Sequence, residues 1–318
     1  MKKRGVCRSG IILAVLAIPV AAQGQDLVKE SLASFSPQTV RVEYSRLTKL
    51  RSLPNYQNLR QRFVGPRLRA MEESFAKLGV QESDIDEIAL GWKPGTSMMD
   101  LEGMVVGRFT AKGVSDRASA VGVSAARIAG LPAFCTGAES ASNCMVVIQD
   151  SLGAFGPPES LTAMVEARAG QSPGLGSNER FAKLVNDAQK DAPIWGVAMG
   201  DSIGDFFRAW LPAQGGLQMD WNRAFQSVEA LTYNIDTTDR IRLDVKMDCN
   251  SSESAQSTRQ VFEGLKMFQQ MAWQNLNPNR PNPFQGIEIS QNDRRVSLRM
   301  TANYADLEGF PASGGAGN

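Results

Sequence analysis

The sequence predicts an α+β fold of two similar β-β-α-β-β units, each an antiparallel sheet with its helices packed on one face. Three observations carry this. Runs with period-two hydrophobicity recur in pairs, as over 228–235 and 240–249. Stripes with three- and four-residue spacing fall between the pairs, the longest over 253–276. The order of strands and helices before Gly170 also repeats roughly after Ser177.

The chain opens with Lys2, Lys3 and Arg4, runs apolar over 11–20 and reaches Ala21 and Ala22. This is the pattern of a secretory signal over 1–22, cut after Ala22. Its apolar run is about half of the roughly 20 residues that a membrane span needs. Cys7 precedes that run, so it is not a lipid-carrying cysteine and leaves with the signal. The mature chain then divides into a first half, 23–176, a second half, 177–310, and a flexible tail, 311–318. No later segment is long and apolar enough to span a bilayer as a helix.

In the first half the pattern places a strand at 40–44, a basic helical region to about Gly79, and strands at 85–92 and 101–109. A helix is expected over 114–128, then hairpin strands at 131–135 and 144–149, and a helix over 158–169 that starts at Pro157-Pro158. Residues 170–177 read as a loop between the halves. The second half gives a helix at 178–188, a strand at 194–199, a helix at 203–210 and a strand pair turning at Asp236-Thr237-Thr238-Asp239. The long helix over 253–276 should bury Val261, Phe262, Leu265, Phe268, Met271, Ala272 and Leu276, leaving Met267 and Trp273 off the centre of the stripe. A last hairpin, 287–290 with 296–300, turns at Asn292-Asp293.

The run Asn143-Cys144-Met145-Val146-Val147-Ile148-Gln149-Asp150, leading to Ala154-Phe155-Gly156-Pro157, resembles a loose group of uncharacterised exported bacterial proteins built from duplicated strand-pair and helix units. The resemblance covers about a third of the chain and implies the duplicated fold without implying an activity.

Composition excludes more chemistry than it suggests. The chain contains no histidine, which removes the commonest general base and the commonest metal ligand. Four of the 34 basic residues leave with the signal, taking the net charge from +1 to −3. Nucleic acid is therefore not an expected partner, because phosphate binding needs an excess of Lys and Arg. No cofactor and no metal are expected. Cys135 and Cys144 flank a turn-forming run between apolar stretches and should form a disulfide in an oxidising compartment. Cys249 continues an alternating strand face and reads as a small buried hydrophobe.

Gly200-Asp201-Ser202-Ile203-Gly204 matches Gly-x-Ser-x-Gly between a strand and a helix, the setting of a nucleophile elbow. Its first four residues also resemble the opening block of the Gly-Asp-Ser-Leu esterases. Both families activate serine through histidine, so Ser202 would need another base, and a helix-capping role explains the motif without catalysis. Ser74-Phe75-Ala76-Lys77 fits Ser-x-x-Lys, but no Lys-Thr-Gly accompanies it. Glu82, Asp84, Asp86 and Glu87 could offer oxygens to calcium, but they lack the glycine and distal glutamate of a calcium loop. Gly170, Gly174 and Gly176 precede a helix and describe either an anion cradle or a linker.

The best binding candidate is a basic strip of Arg41, Arg46, Lys49, Arg51, Arg60, Arg62, Arg67 and Arg69, interleaved with Tyr44, Tyr56 and Phe63. Such a strip could meet an anionic envelope component or another envelope protein. The expected function is thus a non-enzymatic binding or interaction module, periplasmic or secreted. One alternative is a histidine-free serine hydrolase centred on Ser202. Another is a periplasmic carrier or chaperone for lipid or lipoprotein, which exposure of Met267 and Trp273 would favour.

Overall fold

The computed structural model describes residues 26–53, 55–63, 66–94, 101–136, 143–188, 191–210, 220–277, 279 and 281–304. The signal, its cleavage point and the tail at 311–318 lie outside the described residues. Helix α1 (Leu27–Ser34) leads into β1 (Arg41–Arg46), followed by α2 (Leu47–Arg51), α3 (Tyr56–Phe63) and α4 (Pro66–Lys77). Next come β2 (Ile85–Trp92), β3 (Glu102–Gly107), α5 (Ala111–Ala120), β4 (Ala125–Ile128), β5 (Leu131–Thr136), β6 (Asn143–Gln149), β7 (Leu152–Gly156) and α6 (Pro158–Arg168). The remainder is α7 (Glu179–Ala188), β8 (Ile194–Met199), α8 (Ser202–Trp210), α9 (Trp221–Ala224), β9 (Val228–Asp236), β10 (Ile241–Cys249), α10 (Ser252–Leu276), β11 (Glu288–Asn292) and β12 (Arg295–Ala302).

The α+β class holds, but the separate sheets expected of the two halves are one sheet. Its twelve strands run in the order β11-β12-β10-β9-β8-β1-β2-β3-β7-β6-β5-β4, and every pairing is antiparallel. The join is β1 against β8, with Arg41 opposite Ala198 and Tyr44 opposite Trp195. Two separate sheets would leave both strands with unpaired backbone groups at an edge, and pairing them satisfies those groups. Tyr44 and Trp195 stack across the join at 5.2 Å.

Helices also cover both faces rather than one. Val42, Tyr44, Ala89, Met104, Val146 and Val197 bury against Leu27, Leu161, Met164, Phe181 and Val185 of α1, α6 and α7. The alternate strand positions Leu90, Val105, Phe134 and Met145 face the other way, under Met71 of α4 and Val114 and Ala118 of α5. On that second face of the other half, Leu231, Tyr233, Val245 and Met247 pack under Ile203, Phe206, Phe207, Ala255 and Phe262 of α8 and α10. The central strands are apolar on both sides, which one helical layer cannot serve.

Three further differences are local. The helix expected over 114–128 ends at Ala120, and Gly122 at φ +75° closes it. Residues 125–128 instead form the edge strand β4, which reaches β5 through Ala129 and Gly130, both at positive φ as a tight hairpin turn requires. Residues 152–156, expected as a turn and an aromatic-glycine step, form the buried strand β7. Helix α1 was not legible as an element. Asp26 caps it by accepting from the amides of Val28 and Lys29. The connection at 170–177 is docked on α1: Leu175 is buried and its amide donates to the Phe35 carbonyl at 2.6 Å.

Cys135 and Cys144 sit directly opposite each other on β5 and β6 and are joined in a disulfide, Cα to Cα 4.0 Å. Closing a loop this short is worth about 2 to 3 kcal/mol on the chain-entropy model. A Cys135→Ser/Cys144→Ser variant should lose that much stability in urea unfolding, and reductant should shift the native protein's midpoint the same way while leaving the variant's unchanged.

Candidate interaction surface

The structure turns most of the basic strip inward. Arg46 reaches Glu87 at 3.7 Å and the Tyr44 hydroxyl at 3.3 Å. Lys49 donates to the Asp191 carbonyl at 3.0 Å. Arg51 holds the carbonyls of Glu82 and Ile85 as well as the Glu82 carboxylate, with Asp86 at 3.6 Å. Arg60 pairs with Glu72, and the Arg69 Nε has no hydrogen-bond partner among the described residues. Arg62 and Arg67 lie on α3 and α4, and their side chains are outside the described set. The acidic group at 82–87 is thus the counter-charge of the basic strip, and Tyr56 adds a hydrogen bond to Glu82 at 2.6 Å.

Arg41 is a different case. Strand alternation sends it to the face opposite Val42 and Tyr44, where it is buried beneath α8 at the β1–β8 join. Its guanidinium lies 4.6 Å from the Trp92 ring centroid and 5.4 Å from that of Phe206, and contacts Glu43 at 2.5 Å. Burial works against its charge, but Glu43, Tyr233 and Asp205 outweigh burial and hold its pKa above the usual value. Tyr233 is fully buried beside Glu43, and burial first, then Glu43, pushes its phenol well above the ordinary range. Gly196 makes room for it: a Cβ there would lie 2.3 Å from the Tyr233 ring. This cluster fastens the two halves of the sheet together.

Ser202 is the first residue of α8, and its hydroxyl is taken up by backbone. Oγ lies 2.7 Å from the Met199 carbonyl and 3.2 Å from the Val40 carbonyl, and accepts from the Met199 amide at 3.3 Å. Gly200, not the serine, carries the positive φ of the turn, at +58°. Among the described residues the hydrogen bonds of the Ser202 hydroxyl all go to backbone groups. Ser74 and Lys77 lie on α4, half-buried and exposed respectively.

Among the described residues, two of the three exposed large hydrophobics, Met267 and Met271, lie on α10, the third being Val121. Ser251 caps α10, accepting from the Ser254 amide at 3.1 Å. Among its described side chains, Ala255, Thr258, Phe262 and Trp273 are buried; that of Leu276 lies outside the described set. Trp273 packs edge-on against Phe284, 6.0 Å between centroids. Lys266 donates to the Ile287 carbonyl at 2.6 Å, and Gln270 and Asn282 tie the helix to residues 282–284.

This attachment corrects the expected stripe. At about 100° per residue, Trp273 lies close to the Phe262 direction and Met271 lies on the opposite side of the helix. Trp273 is accordingly 7% exposed and Met271 63%. Met267, one turn earlier, is 64% exposed, and Gly264 on the same side has open space around it. The adjacent charges are engaged, Arg259 with Glu263 at 2.7 Å and Lys266 as above. The result is a short apolar ridge on a helix held firmly from beneath.

The fold and this surface define an α+β protein built on one large antiparallel sheet. Its fold is similar to that of TP0453 in crystal form III, with a TM-score of 0.50 at 8% identity over 85% of this chain and 92% of that one. Crystal forms I and IV of TP0453 give TM-scores of 0.49 and 0.48 at 10% and 9% identity. At such identity the likeness shows the fold alone. The sequence matches no protein-family model and no curated protein.

Proposed function

We propose that the chain is an exported, non-enzymatic interaction module that engages an envelope partner through the Met267–Met271 ridge of α10. The carrying observation is that two methionines one turn apart stand in solvent on a helix held on its other side by Phe262, Lys266, Gln270 and Trp273. Methionine is flexible and polarisable and suits adaptable apolar contacts. Export is supported by the signal pattern and the Cys135–Cys144 disulfide. The apolar space between α1, α7 and the sheet holds only about 10 Å³, about one water, so that space does not enclose a lipid. The strand order also supports duplication. Outward from the β1–β8 join, each half runs a three-stranded meander, a helix (α5 or α10), and returning strands whose last member pairs with the third.

A photo-reactive residue placed at position 267 or 271 in cells should cross-link a partner chain, and one at exposed Gln256 on the same helix should not. Equal cross-linking from all three positions would count against the ridge. Ser202→Ala should cost about 1 kcal/mol of stability, the loss of its hydroxyl's bonds to the Met199 and Val40 backbone, and leave cross-linking unchanged; loss of a serine-reactive probe's labelling in that variant would instead support the hydrolase.

A further inference from the structure

We propose that Asn250 is a glycan attachment site, an inference that rests on the export reading. Asn250-Ser251-Ser252 is the one Asn-x-Ser/Thr triplet in the sequence, and an acid, Asp248, stands two residues before the acceptor. The triplet falls at the exposed corner where β10 ends and α10 begins. Asn250 is exposed, and its carboxamide has no hydrogen bond among the described residues. Its backbone amide is held by the Ser227 carbonyl at 3.0 Å, so the side chain can carry a bulky group without loss of a main-chain bond.

The surroundings suit a carbohydrate. Asp248 and Cys249, immediately before Asn250, line an open polar groove of about 440 Å³, together with Glu229, Asn292 and Arg294. Asp248 and Glu229 are paired there with Arg295 at 2.6 Å and Arg180 at 2.9 Å, so the groove presents ion pairs alongside the amide of Asn292 to sugar hydroxyls. The groove is roughly 25 Å along α10 from Met267, at 1.5 Å rise per residue, so a glycan there leaves the apolar ridge open.

The folded corner also fixes when attachment occurs. Ser251 is occupied as the cap of α10, and the Ser252 hydroxyl donates to Asp293 at 2.5 Å. A transferase that must grip the serine hydroxyl can do so only before the corner forms, during or just after export. The co-substrate is a lipid-diphosphate-linked oligosaccharide. The Asn250 carboxamide nitrogen attacks the anomeric carbon and forms a C–N bond. The bond from that carbon to the diphosphate oxygen breaks, and the lipid diphosphate leaves with the electron pair. The amide proton passes to a basic group of the transferase.

The test is intact and peptide-level mass spectrometry of the chain purified from its own host's envelope. The expected result is a mature N-terminus after Ala22 and a carbohydrate mass on the peptide bearing Asn250. That mass is lost in both Asn250→Gln and Ser252→Ala and kept in Ser252→Thr, which retains the hydroxyl. A processed chain with bare Asn250 overturns the glycan and leaves export intact. An unprocessed chain of full polypeptide mass overturns both.

Discussion

Glu43→Ala is expected to destabilise the protein by about 3 to 5 kcal/mol, the cost of leaving a buried charge without its partner. Arg41 is 4% exposed, its guanidinium roofed by Trp92 and Phe206, with Glu43 as its carboxylate partner. Removing Glu43 strands the guanidinium under α8 and takes a hydrogen-bond partner from buried Tyr233. The loss falls on the strand that joins the two halves. Replacing both members, Arg41→Met with Glu43→Leu, should recover the part due to the stranded charge, since a well-packed apolar pair of similar volume is often neutral or stabilising, and leave the part due to Tyr233. Urea unfolding of the single and double variants at neutral pH measures both effects. A single variant within 1 kcal/mol of the native protein would mean that the pair does not hold the join.

Phe262→Ala is the second large effect, about 3 to 5 kcal/mol for a buried aromatic truncated to alanine. The Phe262 ring lies 5.2 Å from Phe207 and 5.3 Å from Phe225, and Phe207 lies 4.4 Å from Phe225. These three rings fix α8 and α9 to the middle of α10. Their loosening should also weaken cross-linking from positions 267 and 271, because the ridge depends on the helix beneath it. Exposed Gln256→Ala, by contrast, should change stability by no more than about 0.5 kcal/mol. Thermal and urea unfolding, paired with cross-linking yield, separates the two effects.

Much of the fold was legible because it is local. The strands 85–92 and 194–199 and the hairpin over 228–249 are set by alternation and turn residues, and the structure places them within a residue or so of expectation. The cysteine pair was legible for the same reason, since its two strands are neighbours in sequence. The β1–β8 join was not, because β1 and β8 lie some 150 residues apart and their alternation specifies burial without naming a partner. The strip from Arg41 to Arg69 read as a surface by its charge alone. Yet Arg41 and Glu43 stand two apart on a strand, on the same face, and that spacing was a visible sign of a pair. Periodicity alone places Met271 in the core because several apolar residues of the helix fit more than one stripe. Which side turns inward was decided by Trp273 against Phe284 and by the bonds of Lys266 and Gln270 to residues 284–287, contacts that helical periodicity does not contain.

Native mass spectrometry of the mature chain from its host's envelope, alongside a Met267→Lys/Met271→Lys variant, tests the proposed interaction most directly. Lysine keeps helix propensity and removes the apolar ridge, so the variant should fold with unchanged stability. The expected result is a stoichiometric partner chain on the native protein and at least a tenfold loss of it, about 1.4 kcal/mol, in the variant. A partner retained equally by both proteins, or a small molecule bound to both with no partner chain, would contradict it.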